Sequence, residues 1–157
     1  MQEETAKHTI SASAIIPARR ERLYSLIANY RDGHVRILPR QFSGLVVEQG
    51  GNGAGTVIRF QMSAFGQKRT LRAEISEPEP GRVLVETYLD SNGMVTTFAV
   101  DPGTAPADSR VTISTELPVR SGVSGWIDRK LSTLLLRPIY RKELENLARV
   151  ATGPFGA

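Results

Sequence analysis

Six alternating apolar and polar segments between Phe42 and Leu117, followed by one long helical pattern from Val123 to Ala151, constrain this chain more than any other feature. Period-two segments build strands, and apolar residues recurring every three to four positions build a helix. In that order they leave one broad apolar sheet face and a single long element able to cover it. The expected product is a curved sheet gripping a helix, with a cavity wherever the two fail to meet.

The segments can be placed individually. His8 to Ile16 is rich in β-branched and small residues and stops at Pro17, predicting a first strand. Pro17 suits a helix N1 position, and Leu23, Leu26, Ile27 and Tyr30 follow on one side of a helix that Asp32-Gly33 ends. A helical turn from His34 to Leu38 runs into Pro39. The strands are expected at Phe42 to Glu48, Thr56 to Ala64, Lys68 to Ser76, Arg82 to Leu89, Met94 to Val100 and Arg110 to Leu117. Turns at Gly66-Gln67, Glu77 to Gly81 and Asp90 to Gly93, and the polar loop Asp101 to Ser109, separate the later strands. These connections are too short for parallel crossovers, so the sheet is expected to be antiparallel. The tail Thr152 to Ala157 is expected to fray.

At 157 residues the chain has room for one domain, 1–157 with an ordered core of about 7–151, and a chain of this size buries roughly 70% of its unfolded surface. No apolar run approaches the ~18 residues of a membrane span, and the acidic start Met1 to Thr5 lacks a secretory h-region, so the expected location is cytoplasmic. Zero cysteines exclude disulfides and thiolate chemistry, and His8 and His34 alone make no metal set. No cofactor is implied. The net charge of +4 is spread over Arg19/Arg20/Arg22, Lys68/Arg69/Arg72 and Arg137/Arg141/Lys142 without interleaved aromatics, which argues against nucleic acid. Gly50, Gly51, Gly53 and Gly55 match neither phosphate-loop spacing and precede a strand.

The last helix changes face. Ile127, Leu131, Leu134 and Leu135 form one stripe; beyond Pro138 the stripe passes to Tyr140, Leu144 and Leu147, on roughly the opposite side. Either Pro138 kinks or breaks the helix so that both stripes meet one core, or one side meets the sheet and the other a ligand, a twin subunit or a membrane surface.

Several stretches carry a family resemblance: Ile15-Ile16-Pro17-Ala18 with Arg22 to Tyr30, Gly53-Ala54-Gly55-Thr56-Val57, Glu77-Pro78-Glu79-Pro80-Gly81-Arg82, and Leu136 to Leu147. Over residues 7 to 151 the chain resembles the START-like (SRPBCC) helix-grip superfamily, in its polyketide cyclase/dehydrase-like branch. It departs from that pattern at Asn29, where an acid is common, and near Val35, where a tryptophan is often found. The resemblance implies an α+β fold: a seven-stranded antiparallel sheet wrapped around a long C-terminal helix, with two short helices after the first strand. It also implies a cavity for lipids, polyketides, hormones or other apolar molecules. Cyclase members act through cavity arginines and tyrosines, which points to Arg59, Arg72, Tyr88 and Tyr24. By strand parity Arg59 and Arg72 face solvent, and Tyr88 shares the parity of Leu84 and Glu86.

The favoured expectation is binding of a small hydrophobic molecule by Ile58, Phe60, Met62, Leu71, Val85, Phe98, Val111, Ile113, Leu131, Leu134 and Leu135, with Thr96 and Thr115 orienting its polar end. The alternatives are a cyclase/dehydratase-type enzyme, which requires a buried ionisable group in the cavity, and an interaction module or homodimer using the final helix. Glu74 and Glu86 are expected on the solvent face rather than as an acid–base pair. Ser11 and Ser13 have no histidine at hydrolase spacing.

Overall fold

The computed structural model describes residues 6–89, 91, 93–120 and 122–153. The elements run β1 (Ala6–Ile16), α1 (Arg20–Ala28), α2 (Gly33–Ile37), β2 (Phe42–Gln49), β3 (Val57–Ala64), β4 (Gln67–Glu79), β5 (Val83–Tyr88), β6 (Val95–Pro102), β7 (Ser109–Val119) and α3 (Gly122–Thr152). One seven-stranded sheet has the order β1-β7-β6-β5-β4-β3-β2, with every pair antiparallel. Register irregularities in β2 and near Ser76/Glu79 of β4 add the local bend that bulges impose. This is the expected α+β architecture. No helix is long and apolar enough to cross a membrane among the described residues.

Alternation sets the inner face. Ile58 and Phe60 on β3, Leu71, Ala73 and Ile75 on β4, Leu84 and Glu86 on β5, Thr96, Phe98 and Val100 on β6, and Val111, Ile113 and Thr115 on β7 are all buried. Ile10 and Ile16 extend the core onto β1, and α1, α2 and the back half of α3 close it through Leu23, Ile27, Ile37, Ile139, Leu144 and Leu147.

The expected boundaries shift in two places near the first helices. α1 begins at Arg20 rather than Pro17, because the chain first turns through a hydrogen bond from Ala18 N to Ile16 O at 2.8 Å. It ends at Ala28, where the Asn29 side chain accepts from the backbone N–H groups of Arg31 and Asp32. Gly33 therefore opens α2 instead of closing α1, and a Cβ there would stand 2.5 Å from Leu26 O.

The glycine-rich loop is a clasp. Tyr30 N donates to Gly51 O and Gly53 N to Ala28 O, tying the loop to the end of α1 and fixing Tyr30 over the sheet. Gly53 adopts φ 66°, and a Cβ would meet Glu77 Oε1. α3 runs unbroken through Pro138, so the two-helix alternative is excluded. The expected turn at Asp90 to Gly93 includes Asp90 and Asn92, and the expected tail includes 154–157; these lie outside the described residues, as do residues 1–5.

Candidate functional site

The sheet and α3 enclose a cavity in two parts. The outer chamber, about 290 Å³, is walled by Phe42, Met62, Phe65, Arg69, Leu71, Met94, Ser132, Leu135 and Leu136. Phe42, Tyr88, Thr96 and Tyr140 line both this chamber and a narrow inner end of about 30 Å³, room for a water or two. His34, Glu86 and Glu143 join Ile58, Phe60 and Phe98 around that inner end. An apolar vestibule thus leads to an ionisable floor.

Each floor residue is placed by a different element. His34 stands on α2, stacked on Tyr30 with ring centroids 4.3 Å apart and edge-on to Phe98. Its Nδ1 lies 2.7 Å from Ile27 O, and because a carbonyl only accepts, Nδ1 carries the hydrogen. Glu86 points inward from β5; its Oε1 accepts from Tyr30 OH at 2.7 Å and its Oε2 from Tyr88 OH at 2.9 Å. Glu143 comes from α3, and its Oε1 is 3.8 Å from His34 Nε2, which is also 3.7 Å from Glu86 Oε1. Both distances are contacts rather than hydrogen bonds. Thr96 bonds Thr115 at 2.7 Å, and Thr115 in turn bonds Tyr140 OH.

Burial governs the protonation of this group. Desolvation, with the neighbouring Glu86 charge second, holds the Glu143 carboxyl well above the usual carboxylate range. Desolvation pushes His34 down from 6.5, against the opposing pull of Glu86. Burial likewise raises the phenols of Tyr30 and Tyr88, and lifts Tyr140 to about 12.

The expected lining residues divide. Ile58, Phe60, Met62, Leu71, Thr96, Phe98 and Leu135 border the two-part cavity. Val111 and Ile113 are fully buried in the core beside it, and Thr115 reaches it through Tyr140. Val85 lies on the other face of β5, because Leu84 and Glu86 take the inner positions. Leu131 borders an open groove that adjoins the chamber and shares Arg69, Leu71, Met94 and Ser132 with it, whereas Leu134 is 72% exposed and lines neither.

Among the polar candidates, Arg59 is exposed, and Arg72 pairs with Glu48 at 2.8 Å on the outer face. Tyr24 is buried but outside the cavity lining, donating to Glu77 at 2.6 Å. The solvent-facing expectation for Glu86 is corrected. It sits opposite Ile75, whereas Glu74 is exposed, so the two carboxylates point to opposite faces.

Sequence reasoning missed His34 and Glu143 as cavity residues. The signal for Glu86 was its parity with Leu84; that for Glu143 was its place between Tyr140 and Leu144 on the second apolar stripe.

Comparison with known proteins agrees with this architecture. A family model described as polyketide cyclase / dehydrase and lipid transport matches residues 7–152. No curated protein matches. Among solved structures, the KanY protein is 26% identical at a TM-score of 0.81, covering 94% of this chain and 99% of its own. The Zhui aromatase/cyclase from Streptomyces sp. R1128 is 12% identical at 0.74, covering 97% and 100%. Norcoclaurine synthase of Thalictrum is 15% identical at 0.73, covering 96% and 97%. At such identities the last two show the shared fold alone.

Proposed function

Because this chain belongs to the polyketide cyclase / dehydrase and lipid transport family, we propose that it binds a small, largely apolar molecule in the outer chamber, with that molecule's oxygen-bearing end against the ionisable floor. The observation that carries the reading is the chamber itself: about 290 Å³ walled by Met62, Leu71, Met94, Leu135 and Leu136, and closed at one end by polar groups. That volume is near the lower end of the roughly 300–1,000 Å³ of small-molecule sites and favours a guest of about two fused rings or a short chain. Burying apolar surface at about 25 cal/mol per Å² supplies the affinity, and the floor supplies orientation.

The test is titration with the apolar fluorophore N-phenyl-1-naphthylamine. Saturable binding is expected in the wild type, and loss of it in Leu135→Trp, which fills the chamber. Binding that survives Leu135→Trp unchanged would place the probe elsewhere and contradict the reading.

One observation favours a second reading. A cyclase/dehydratase-type activity needs a buried group able to move a proton, and the floor holds His34, Glu86 and Glu143. Turnover of a poly-β-ketone mimic that Glu143→Gln abolishes while fluorophore binding persists would support it; no turnover by the wild type would remove it. The exposed apolar side chains Val123, Trp126, Ile127 and Leu134 also admit a second copy of this chain as partner. Light scattering at high concentration reads this directly, and a strict monomer removes it.

A further inference from the structure

The polar floor is not uniformly available to a guest. Both oxygens of Glu86 are occupied by the phenols of Tyr30 and Tyr88, and the Tyr140 hydroxyl is engaged with Thr115. Glu143, with its side chain only 4% exposed, makes no hydrogen bond among the described residues, yet it borders the inner end of the cavity.

With Nδ1–H fixed on Ile27 O, neutral His34 turns the lone pair of Nε2 towards Glu86 and Glu143, both within 4.0 Å. Three acceptors converging in a buried space repel one another unless at least one holds a proton. Both Glu86 oxygens already accept an O–H donor, so neither is open to a further partner in the way Glu143 is. Burial disfavours a proton on His34 and favours one on Glu143.

We propose that Glu143 is the guest-facing hydrogen-bond donor of the cavity and selects a molecule whose buried end is a carbonyl oxygen. This rests on the binding reading above and names the chemistry of the guest's inner end. A ketone oxygen accepts from the Glu143 carboxyl O–H, which has no hydrogen-bond partner among the described residues, His34 Nε2 standing 3.8 Å away. A hydrocarbon of the same shape leaves the donor unpaired in a buried site, and a site built to bond a polar group rejects the analogue lacking it. The titratable groups around Glu143 are His34 of α2 and Tyr30 just before it, Glu86 and Tyr88 of β5, and Tyr140 one turn back on α3. β6 and β7 offer only Thr96, Phe98 and Thr115.

The test compares 1-tetralone with tetralin, equal in shape but differing in the carbonyl, by calorimetry at pH 6 and pH 10. It uses the wild type, Glu143→Gln and Glu143→Leu. For the wild type, tetralone is expected to bind about tenfold or more tightly than tetralin at pH 6, in line with one hydrogen bond to a buried donor. That advantage is expected to be smaller at pH 10 than at pH 6, because an ionised carboxylate does not donate. Glu143→Gln keeps an N–H donor in place and should retain the preference at both pH values. Glu143→Leu should lose the preference at both while binding tetralin at least as well as the wild type. A tetralone preference that persists in Glu143→Leu overturns the proposal, as does equal binding of both probes by the wild type, although the chamber reading then stands. If neither probe binds the wild type, the chamber reading fails and takes this inference with it.

Discussion

The two halves of α3 share one backbone and carry opposite duties. From Leu136 onward the helix buries Ile139, Tyr140, Leu144 and Leu147 against the sheet and the first helices, and Asn146 donates to Ile37 O at 3.0 Å. From Gly122 to Leu135 it exposes Val123, Trp126, Ile127, Leu131 and Leu134, and its side-chain bonds include His8 to Thr133 at 2.8 Å and the paired Arg120–Asp128 bonds. The back half completes a core and plants Glu143 in it. The front half roofs a chamber that the sheet's own side chains leave unfilled. A continuous helix thus shapes the polar floor with its buried half and roofs the chamber with its more exposed one.

The sharpest way to break this contrast is truncation on either side of Pro138. Leu147→Ala, at a fully buried site, is expected to cost about 2–5 kcal/mol, whereas Leu134→Ala should stay within about 0.5 kcal/mol, both by denaturant titration. Equal costs would mean the front half is packed as tightly as the back.

Next in size is the floor's hydrogen bonding. Tyr30→Phe removes a donor from a buried carboxylate and is expected to destabilise by about 1–3 kcal/mol, again by denaturant titration. An effect near zero would mean that another group takes over the bond.

Smaller still is a pH dependence tied to the back half. Glu143 keeps its proton in the folded chain at pH values where the unfolded chain, with an ordinary value of 4.5, has lost it. The folded state then binds more protons, so stability falls as pH rises through that window, by at most about 1.4 kcal/mol per unit. His34 has the opposite sign. Depressed below 6.5, it is neutral when folded but protonated when unfolded, so its contribution is lost as pH falls below 6.5. The two oppose each other just below 6.5, and above it the His34 contribution no longer changes with pH. Subtracting the Glu143→Gln profile from the wild type between pH 6.5 and 8.5 should isolate the Glu143 slope; parallel profiles would show that Glu143 is already ionised. The smallest effect belongs to the front half: Leu131→Ser and Leu134→Ser together should leave the thermal midpoint within about 2–4 °C of the wild type.

Much of the fold was legible because period-two alternation is local. The six later strands, the sheet's direction and the long final helix follow from spacing that neighbouring residues set. The first helices were less so: an Asx-type turn at Asn29 and a Cβ clash at Gly33 decide where α1 ends and α2 begins, and neither appears in apolar periodicity. On the cavity wall, parity put Met62, Leu71 and Thr96 on the inner face. It also put Leu84 and Glu86 on one face, but the weight given to charge sent Glu86 outward and allowed Val85 in its place. A buried carboxylate is affordable there only because Tyr30 and Tyr88, brought from 56 residues before and two after, meet it in space. Glu143 and His34 converge across similar distances in sequence, which no local pattern reports.

The central claim, that the chamber under the front half of α3 holds a guest whose polar end reaches the floor set by the back half, is tested most directly by methyl chemical-shift mapping with 1-tetralone. The account predicts saturable shifts at Met62, Leu71, Met94, Thr96 and Leu135, with Val85 and Leu134 unmoved. Shifts confined to Val123, Ile127 and Leu134, or no saturable shift at the chamber methyls, would contradict it.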